Sequence, residues 1–215
     1  MREPVMDIQY PLTNLDSSQQ ATLTAVVKLA QTCDYEAGHS HQVTRLALLL
    51  FDDLEPLHKL GLEPRYWLEC AGILHDIGWI EGWHNHHKTS QRIILTTPLL
   101  PFNNRERMII GSIARYHSKA LPNIAHDHFA ALAPGDRQVV CVLAACLRLA
   151  DGLDHSHHNQ VKDLRCKIRP KKIIVACDVV SRSDEDAVAA QRRSDLMADV
   201  FQRPVVINWT MVKVD

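Results

Sequence analysis

A histidine followed directly by an aspartate, His75-Asp76, ends an apolar stretch and is the pair best suited to chemistry. Leu68 and Ala71 lie two and one helical turns before His75, so its imidazole continues a face that we expect to be buried, before Gly78 stops the helix. A lone pair of this kind is more often a hydrogen-bonded core histidine beside a solvated aspartate. The alternative of a metal site depends on further ligands converging on the pair.

A second candidate ligand lies at the start of the helix that we predict over residues 39 to 56. His39 lies four and seven residues before Val43 and Leu46, which begin the apolar stripe of that helix. His41 instead projects on a more polar face with charged neighbours. We therefore predict that His39, and not His41, points into the protein.

A similar choice arises between the adjacent histidines His86 and His87. His87 shares a helical face with Ile94, whereas His86 falls toward the loop that precedes the helix. We predict that His87 is the ligand.

Two more side chains of the ligand type follow apolar stripes. His117 comes one turn after Ile113, and Asp151 continues the face of Ala144 and Leu147. A carboxylate on so apolar a helix is costly unless it is paired or bound to a cation. Each side chain alone has an ordinary structural explanation, but together they indicate a common site.

The combined set predicts a metal centre with one or two divalent ions. Nitrogen and oxygen donors of this mixture suit Mn, Fe, Co, Ni or Zn, with Mg as a further candidate. We expect Asp76 to be catalytic as well, because it can bridge two ions or orient a water molecule. The predicted metal ligands are His39, His75, Asp76, His87, His117 and Asp151.

The order of these residues resembles the HD-domain superfamily of metal-dependent phosphohydrolases, which is named for its adjacent histidine and aspartate. Within it, the chain is most similar to the C-terminal HD-like domain of the exopolyphosphatase and guanosine pentaphosphate phosphatase family. That likeness runs from about residue 17 to the C-terminus. The segments that carry it are residues 43–52, 68–79, 85–90, 114–119 and 147–157. Residue 155 is a histidine where the family pattern leads us to expect arginine.

The resemblance implies a phosphohydrolase that cleaves a phosphomonoester, phosphodiester or nucleotide with a metal-activated water. The developing negative charge needs cationic partners, and Lys88, Lys119 and Arg148 lie near the ligands in sequence. The sequence shows no Ser/His/Asp elbow and no P-loop, which disfavours the mechanisms that use them.

A second hypothesis is a non-catalytic accessory module that binds polyphosphate or a guanosine polyphosphate, or that partners a catalytic subunit. In the resembled family, phosphatase activity is usually attributed to a separate actin-like ATPase-fold domain with Gly-rich phosphate loops, and the sequence shows no counterpart. The complete ligand set favours the enzyme, while the closest resemblance favours the module. Either way, the expected partner is a small phosphorylated substrate or polyphosphate.

The elements that position these residues are mainly α-helical, with prolines marking the breaks. Residues 1–15 are expected to form an extended arm, and a helix capped at Asp16 ends before Gly38. The remaining predicted helices cover residues 39–56, 64–77, 87–96, 103–118 and 135–156. The predicted fold class is therefore mainly α, and the resemblance implies that the helices form an HD-domain helical bundle.

The pattern changes after residue 159. Runs rich in β-branched residues at 161–168 and 172–179 predict a hairpin, followed by a helix from Ser183 to about Val200 and a strand over 204–211. We predict a metal-binding helical domain over residues 1–158 and a small ββαβ subdomain over 159–215. The subdomain should pack on the bundle or mediate a homodimer, with its charges forming a solvated face.

Composition excludes several partners. The 24 Lys and Arg residues balance 25 Asp and Glu residues, so no global field attracts nucleic acid or an anionic membrane. The six cysteines form no CxxC pair and are expected to be free thiols in a reducing compartment. The sequence has no signal core and no stretch apolar enough for a membrane span, so we expect a cytoplasmic protein.

Overall fold

The structure is a computed structural model that describes residues 15–213. The predicted extended arm lies outside the described residues, apart from Leu15. The helical part of the chain consists of α1 (Ser17–Thr32), α2 (Ala37–Asp53), α3 (Glu55–His58), α4 (Leu62–Leu74), a 3-10 helix (Ile77–Glu81), α5 (His86–Thr96), α6 (Asn104–Arg115), α7 (Asp127–Ala130) and α8 (Pro134–Leu153).

Helix starts follow the capping signals in the sequence. The Asp16 side chain accepts a hydrogen bond from the backbone N–H of Gln19, whose own side chain accepts one from the backbone N–H of Asp16. Asn103 and Glu106 form the same capping box at the start of α6. The predicted helices are therefore present, although α4, α6 and α8 each end three residues earlier than predicted.

Helix α8 is the central element of the bundle. It is buried along most of its length, and α2, α4 and α6 pack around it, while α5 packs on α6. The apolar stripes seen in the sequence are thus all directed toward one core. The first turn of α2 and the C-terminal ends of α4, α6 and α8 lie close together at one end of the bundle.

The C-terminal part has the predicted ββαβ order. Strands β1 (Val161–Arg169) and β2 (Lys172–Val179) form an antiparallel hairpin, and β3 (Val205–Met211) pairs with β2 in parallel. The predicted single helix is broken at Ser194 into α9 (Asp184–Arg193) and α10 (Asp195–Phe201). The mainly α fold with a small C-terminal sheet is therefore confirmed.

The C-terminal part packs directly on the bundle. Helices α9 and α10 lie on α8, and β1 lies on α2. Apolar side chains of both parts belong to one continuous buried cluster, so the predicted division after residue 158 stays a prediction. All six cysteines are free thiols, as the sequence predicts. Among residues 15–213, no helix combines the length and apolar character needed to cross a membrane.

Candidate metal centre

Asp76 lies at the point where four histidines meet. Its Oδ2 atom is 3.3 Å from Nε2 of His75 and 3.8 Å from Nε2 of His39. Its Oδ1 atom is 3.3 Å from Nε2 of His86 and 3.3 Å from Nε2 of His117. The two oxygens of one carboxylate therefore face two different pairs of imidazoles. We call His39, His75 and Asp76 the first donor group, and Asp76, His86 and His117 the second. Within each group, one donor atom from each residue lies within 4.8 Å of the other two.

The ends of the helices fix how three of these rings are oriented. His75 and His117 come just after the last turns of α4 and α6, and His86 opens α5. Each ring bonds through Nδ1 to a backbone carbonyl three residues earlier. The acceptors are the carbonyl oxygens of Gly72, Trp83 and Ala114, at 2.7, 2.8 and 2.5 Å respectively. A carbonyl oxygen only accepts, so Nδ1 carries a proton in each ring, and Nε2 of the neutral ring presents a lone pair toward Asp76.

His39 is held by a carboxylate that sequence reasoning missed. Its Nδ1 atom donates to Oδ2 of Asp154 at 2.9 Å, and the other oxygen of Asp154 accepts from the backbone N–H of Asn159 at 2.7 Å. The ring of His157 stacks on His39 with 3.7 Å between centroids. A carboxylate behind a ligating imidazole is a common outer-shell partner in metal sites. The spacing of Asp154, three residues after Asp151, was the available signal.

Several donor atoms of the cluster lack partners in the described part of the chain. Nε2 of His39, Nε2 of His75 and Oδ1 of Asp76 are buried without a hydrogen-bond partner. The Nε2 atoms of His86 and His117 are 3.2 Å apart, and both carry lone pairs. Burial and the neighbouring His117 lower the pKa of His86, which disfavours a proton between the two rings. Buried lone pairs that face one another are costly without a cation between them, and this set of imidazole and carboxylate donors fits divalent metal ions.

The electrostatics of the cluster favour positive charge at its centre. Burial would raise the pKa of Asp76, but the His75 and His117 rings outweigh burial and hold the pKa well below its usual range. Burial would likewise lower the pKa of His39, but Asp151, Asp154 and Asp76 together raise it to about 10. The carboxylates around His39 therefore make this end of the bundle a place for cations.

Asp151 lies beside the first pair of imidazoles, as its apolar stripe predicts. Its Oδ1 atom is 3.5 Å from Nε2 of His39, and its Oδ2 atom pairs with the guanidinium of Arg193. The structure thus brings together five of the six predicted ligands at one end of the bundle. Those five residues are His39, His75, Asp76, His117 and Asp151.

The structure disagrees with the choice of His87 over His86. His87 is buried, and its pKa is lowered by burial to about 3, but it belongs to neither donor group. His86, on the loop side of α5, is the residue that faces Asp76. The apolar face of α5 correctly marks the side toward the core. The cluster around Asp76, however, lies beyond the end of that helix rather than beneath its face.

A glycine explains why the start of α5 reaches the centre. A Cβ atom on Gly78 would lie 2.1 Å from the carbonyl oxygen of His86 and 2.6 Å from the backbone nitrogen of Ser90. The first turn of α5 therefore lies directly on the segment after Asp76. We expected Gly78 only to stop a helix, but its lack of a side chain is what admits His86 to the site.

An open cleft of about 840 Å³ leads to this cluster. Asp76, His86 and His117 line it, and the side chains of Trp79 and Trp83 are 50% and 69% exposed at its rim. A substrate can therefore approach the carboxylate from solvent. Two indole rings at the rim suit a ligand that carries a planar ring.

Two of the three predicted phosphate-binding cations line the cleft. Lys119 is exposed there, and Arg148 is buried, pairs with Asp195 at 2.8 Å and has an Nη1 atom without a partner among residues 15–213. The hydroxyl of Ser118 lines the same wall and also lacks a partner in that range. Lys88 is exposed but does not line the cleft, so that prediction is not supported.

The C-terminal part contributes cations that the sequence did not reveal. Arg192 and Arg193 of α9 line the cleft together with His155. The side chain of Arg193 is only 11% exposed and is paired with Asp151, so the expectation of a solvated face was wrong at this position. The partners are 42 residues apart in sequence, and no local pattern connects them.

Comparison with known proteins places the chain in a family. No curated protein matches it. The family model described as Ppx/GppA phosphatase, domain III, matches residues 22–183, which include the histidines and aspartates of the cluster and run from α1 through β2. The chain therefore belongs to the Ppx/GppA phosphatase domain III family.

Proposed function

We propose that the protein is a metal-dependent phosphohydrolase of the HD type that cleaves a small phosphorylated substrate. The observation that carries the proposal is the shared carboxylate of Asp76, with one oxygen toward His39 and His75 and the other toward His86 and His117. A purely structural metal site has little need for a second donor group that opens on a cleft.

The residues fit two divalent ions. We assign the first to His39, His75, Asp76 and Asp151, and the second to Asp76, His86 and His117. Neutral imidazoles with carboxylates suit Mn, Fe, Co, Ni or Zn, with Mg as a further candidate. When bound, such ions supply Lewis acidity and make hydroxide available near neutral pH. The second group has only three protein donors, which leaves coordination positions for water and substrate.

The other residues of the cleft bind and orient the substrate. Asp76 keeps the two donor groups at one fixed separation, since both of its oxygens are used. Lys119, Ser118 and the free nitrogen of Arg148 offer donors to phosphoryl oxygens. Trp79 at the rim can stack on a planar leaving group, which favours a nucleotide or another ring-bearing phosphoester over inorganic polyphosphate.

The test combines metal analysis with a substrate screen. Protein purified without chelators is analysed for bound transition metals and then assayed with phosphomonoesters, phosphodiesters, nucleotides and polyphosphate, with and without Mn(II). We expect about two ions per chain and Mn(II)-dependent release of phosphate or of a nucleotide. Asp199→Asn, an exposed aspartate of α10, serves as the matched control for Asp76→Asn.

The family match favours one alternative. In this alternative, the chain is a non-catalytic accessory module that binds polyphosphate or a guanosine polyphosphate and retains its metal structurally. Protein that is loaded with Mn(II) and hydrolyses nothing in the panel, yet binds polyphosphate in a titration, would contradict the enzyme and establish this alternative.

A further inference from the structure

The two oxygens of Asp151 have different partners. Oδ1 lies 3.5 Å from Nε2 of His39, in the first donor group, while Oδ2 pairs with Arg193 from α9. Both side chains are largely buried, at 7% and 11% exposed. The guanidinium therefore occupies one oxygen of a proposed metal ligand and leaves the other directed toward the metal position.

Contacts along α8 hold Arg193 in this place. Residues 156, 152, 151 and 148, taken in descending order, contact residues 186, 190, 193 and 195 in ascending order. The end of α8 therefore runs antiparallel to α9 and the start of α10. The hydrogen-bonded or closely packed pairs are Ser156 with Asp186 (2.7 and 3.0 Å), Gly152 with Ala190, Asp151 with Arg193, and Arg148 with Asp195 (2.8 and 3.1 Å). Arg193 thus lies within a row of specific contacts, with the Gly152–Ala190 contact before it and the Arg148–Asp195 ion pair after it.

The residue next to Asp151 is what allows α9 to approach so closely. A Cβ atom on Gly152 would lie 2.9 Å from Cα and 3.0 Å from the backbone nitrogen of Ala190. These are backbone atoms, so α9 would have to move if Gly152 carried a side chain. Close packing at Gly152 and the ion pair at Asp151 are two independent observations that place α9 on the metal centre.

We propose that Arg193 is a positioning residue of the first metal group, and that the C-terminal subdomain is thereby part of the metal centre. The inference rests on the proposed function. Arg193 binds Oδ2 of Asp151 and so presents the carboxylate to the metal through Oδ1 alone. Without the guanidinium, a buried carboxylate oxygen would lack its donor, and the side chain would turn toward another one.

Two effects of removing Arg193 oppose each other. Loss of a positive charge near the site would by itself favour cation binding, whereas loss of the group that orients a ligand weakens it. Mutation of a residue that hydrogen-bonds to a metal ligand typically weakens metal binding by about 10- to 100-fold. Arg193 bonds directly to the ligand and the pair is largely buried, so we expect orientation to dominate.

The experiment is a Mn(II) titration of the full chain, followed by electron paramagnetic resonance and by competition with a chelator. In Arg193→Gln, we expect one of two ions to bind about 10- to 100-fold more weakly, with the other unchanged and the chain still folded. Arg192→Gln is the matched control, since Arg192 lines the same cleft from the same helix without contacting Asp151. It should leave both affinities unchanged.

The outcomes separate the inference from the proposed function. Wild type that binds no Mn(II) would overturn both. Wild type with two sites and an Arg193→Gln variant that keeps both affinities would overturn only the inference, as would equal weakening of both ions with a large fall in Tm. Arg193→Lys keeps the charge, so it serves if the glutamine variant does not fold. It should again weaken only one ion, because an ammonium group does not reproduce the guanidinium geometry.

Discussion

Two carboxylates of one segment, in the middle and just past the end of α4, show how a carboxylate that faces several imidazoles differs from a buried carboxylate without such neighbours. Glu69 is 1% exposed, has no hydrogen-bond partner for either oxygen among residues 15–213, and its pKa is raised to about 7 by burial, which outweighs Arg65. The side chain of Asp76 is 13% exposed, and its pKa is held well below the usual range by imidazoles. Burial alone neutralises a carboxylate, whereas the charge and hydrogen bonding of neighbouring imidazole groups keep Asp76 ionised and so able to bind a cation.

The largest effect that would test this contrast is expected from Asp76→Asn. The amide keeps the shape but removes the negative charge shared by both donor groups, so we expect metal binding at both positions to weaken and phosphoester hydrolysis to fall by more than about 100-fold, beyond the range typical of outer-shell partners. Glu69→Gln is the internal control and should retain full activity. Metal analysis and steady-state kinetics measure both variants. Equal loss in the two would remove the distinction drawn between the carboxylates.

The imidazoles around Asp76 can be tested individually, with the next largest effect. His86→Ala should reduce bound metal from about two ions to about one, because the first group keeps its own ligands. His87→Ala should keep both ions and lower Tm, since His87 is a buried side chain outside the donor groups. His84→Ala, at an exposed position, should change neither. Two ions in His86→Ala would remove this residue from the centre.

A smaller effect is expected from the carboxylate behind His39. In Asp154→Asn, the side chain no longer enforces a proton on Nδ1 of His39, so Nε2 is presented less reliably to the first metal. We expect about 10- to 100-fold weaker binding of that ion and little change at the second. The measurement is the Mn(II) titration with chelator competition. Weakening confined to the second ion would contradict the assignment of His39.

Periodicity in the sequence predicted the helices and most of the side chains that meet around Asp76. His39 was correctly placed inward over His41, because the stripe that begins at Val43 defines the buried side of α2. The same reasoning chose His87 over His86, because it describes the face of a helix and not the space beyond its end. The approach of α5 depends on backbone packed against Gly78, and no pattern within α5 contains that information.

Contacts between distant segments were beyond the reach of sequence patterns. Arg193 lies in a charged stretch that has the appearance of a solvent-exposed helix, and only the antiparallel packing of α9 on α8 brings it to Asp151. Asp154 was within reach, since it follows Asp151 by three residues on the same helix end. Most side chains of the cluster could therefore be found from local patterns, while the contact between Arg193 and Asp151 depends on tertiary packing.

The smallest effect concerns Glu69 and the pH dependence of stability. Below about pH 4.5, Glu69 is protonated in both the folded and the unfolded chain, and it contributes no pH dependence. As the pH rises from about 4.5 to about 7, the unfolded chain releases this proton while the folded chain keeps it, so the folded state loses stability. The full loss, on the order of 3 kcal/mol at most, is reached above about pH 7.

Glutamine at position 69 cannot ionise, so Glu69→Gln should gain stability relative to wild type as the pH rises through this window. Urea unfolding at pH 5 and pH 8 measures the free energy of unfolding of both proteins, and the expected result is a difference between them that grows by about 1 to 3 kcal/mol. Comparing differences removes any constant effect of the substitution itself. A difference that is the same at both pH values would show that Glu69 is charged in the folded protein, with a cationic partner, as Asp76 is.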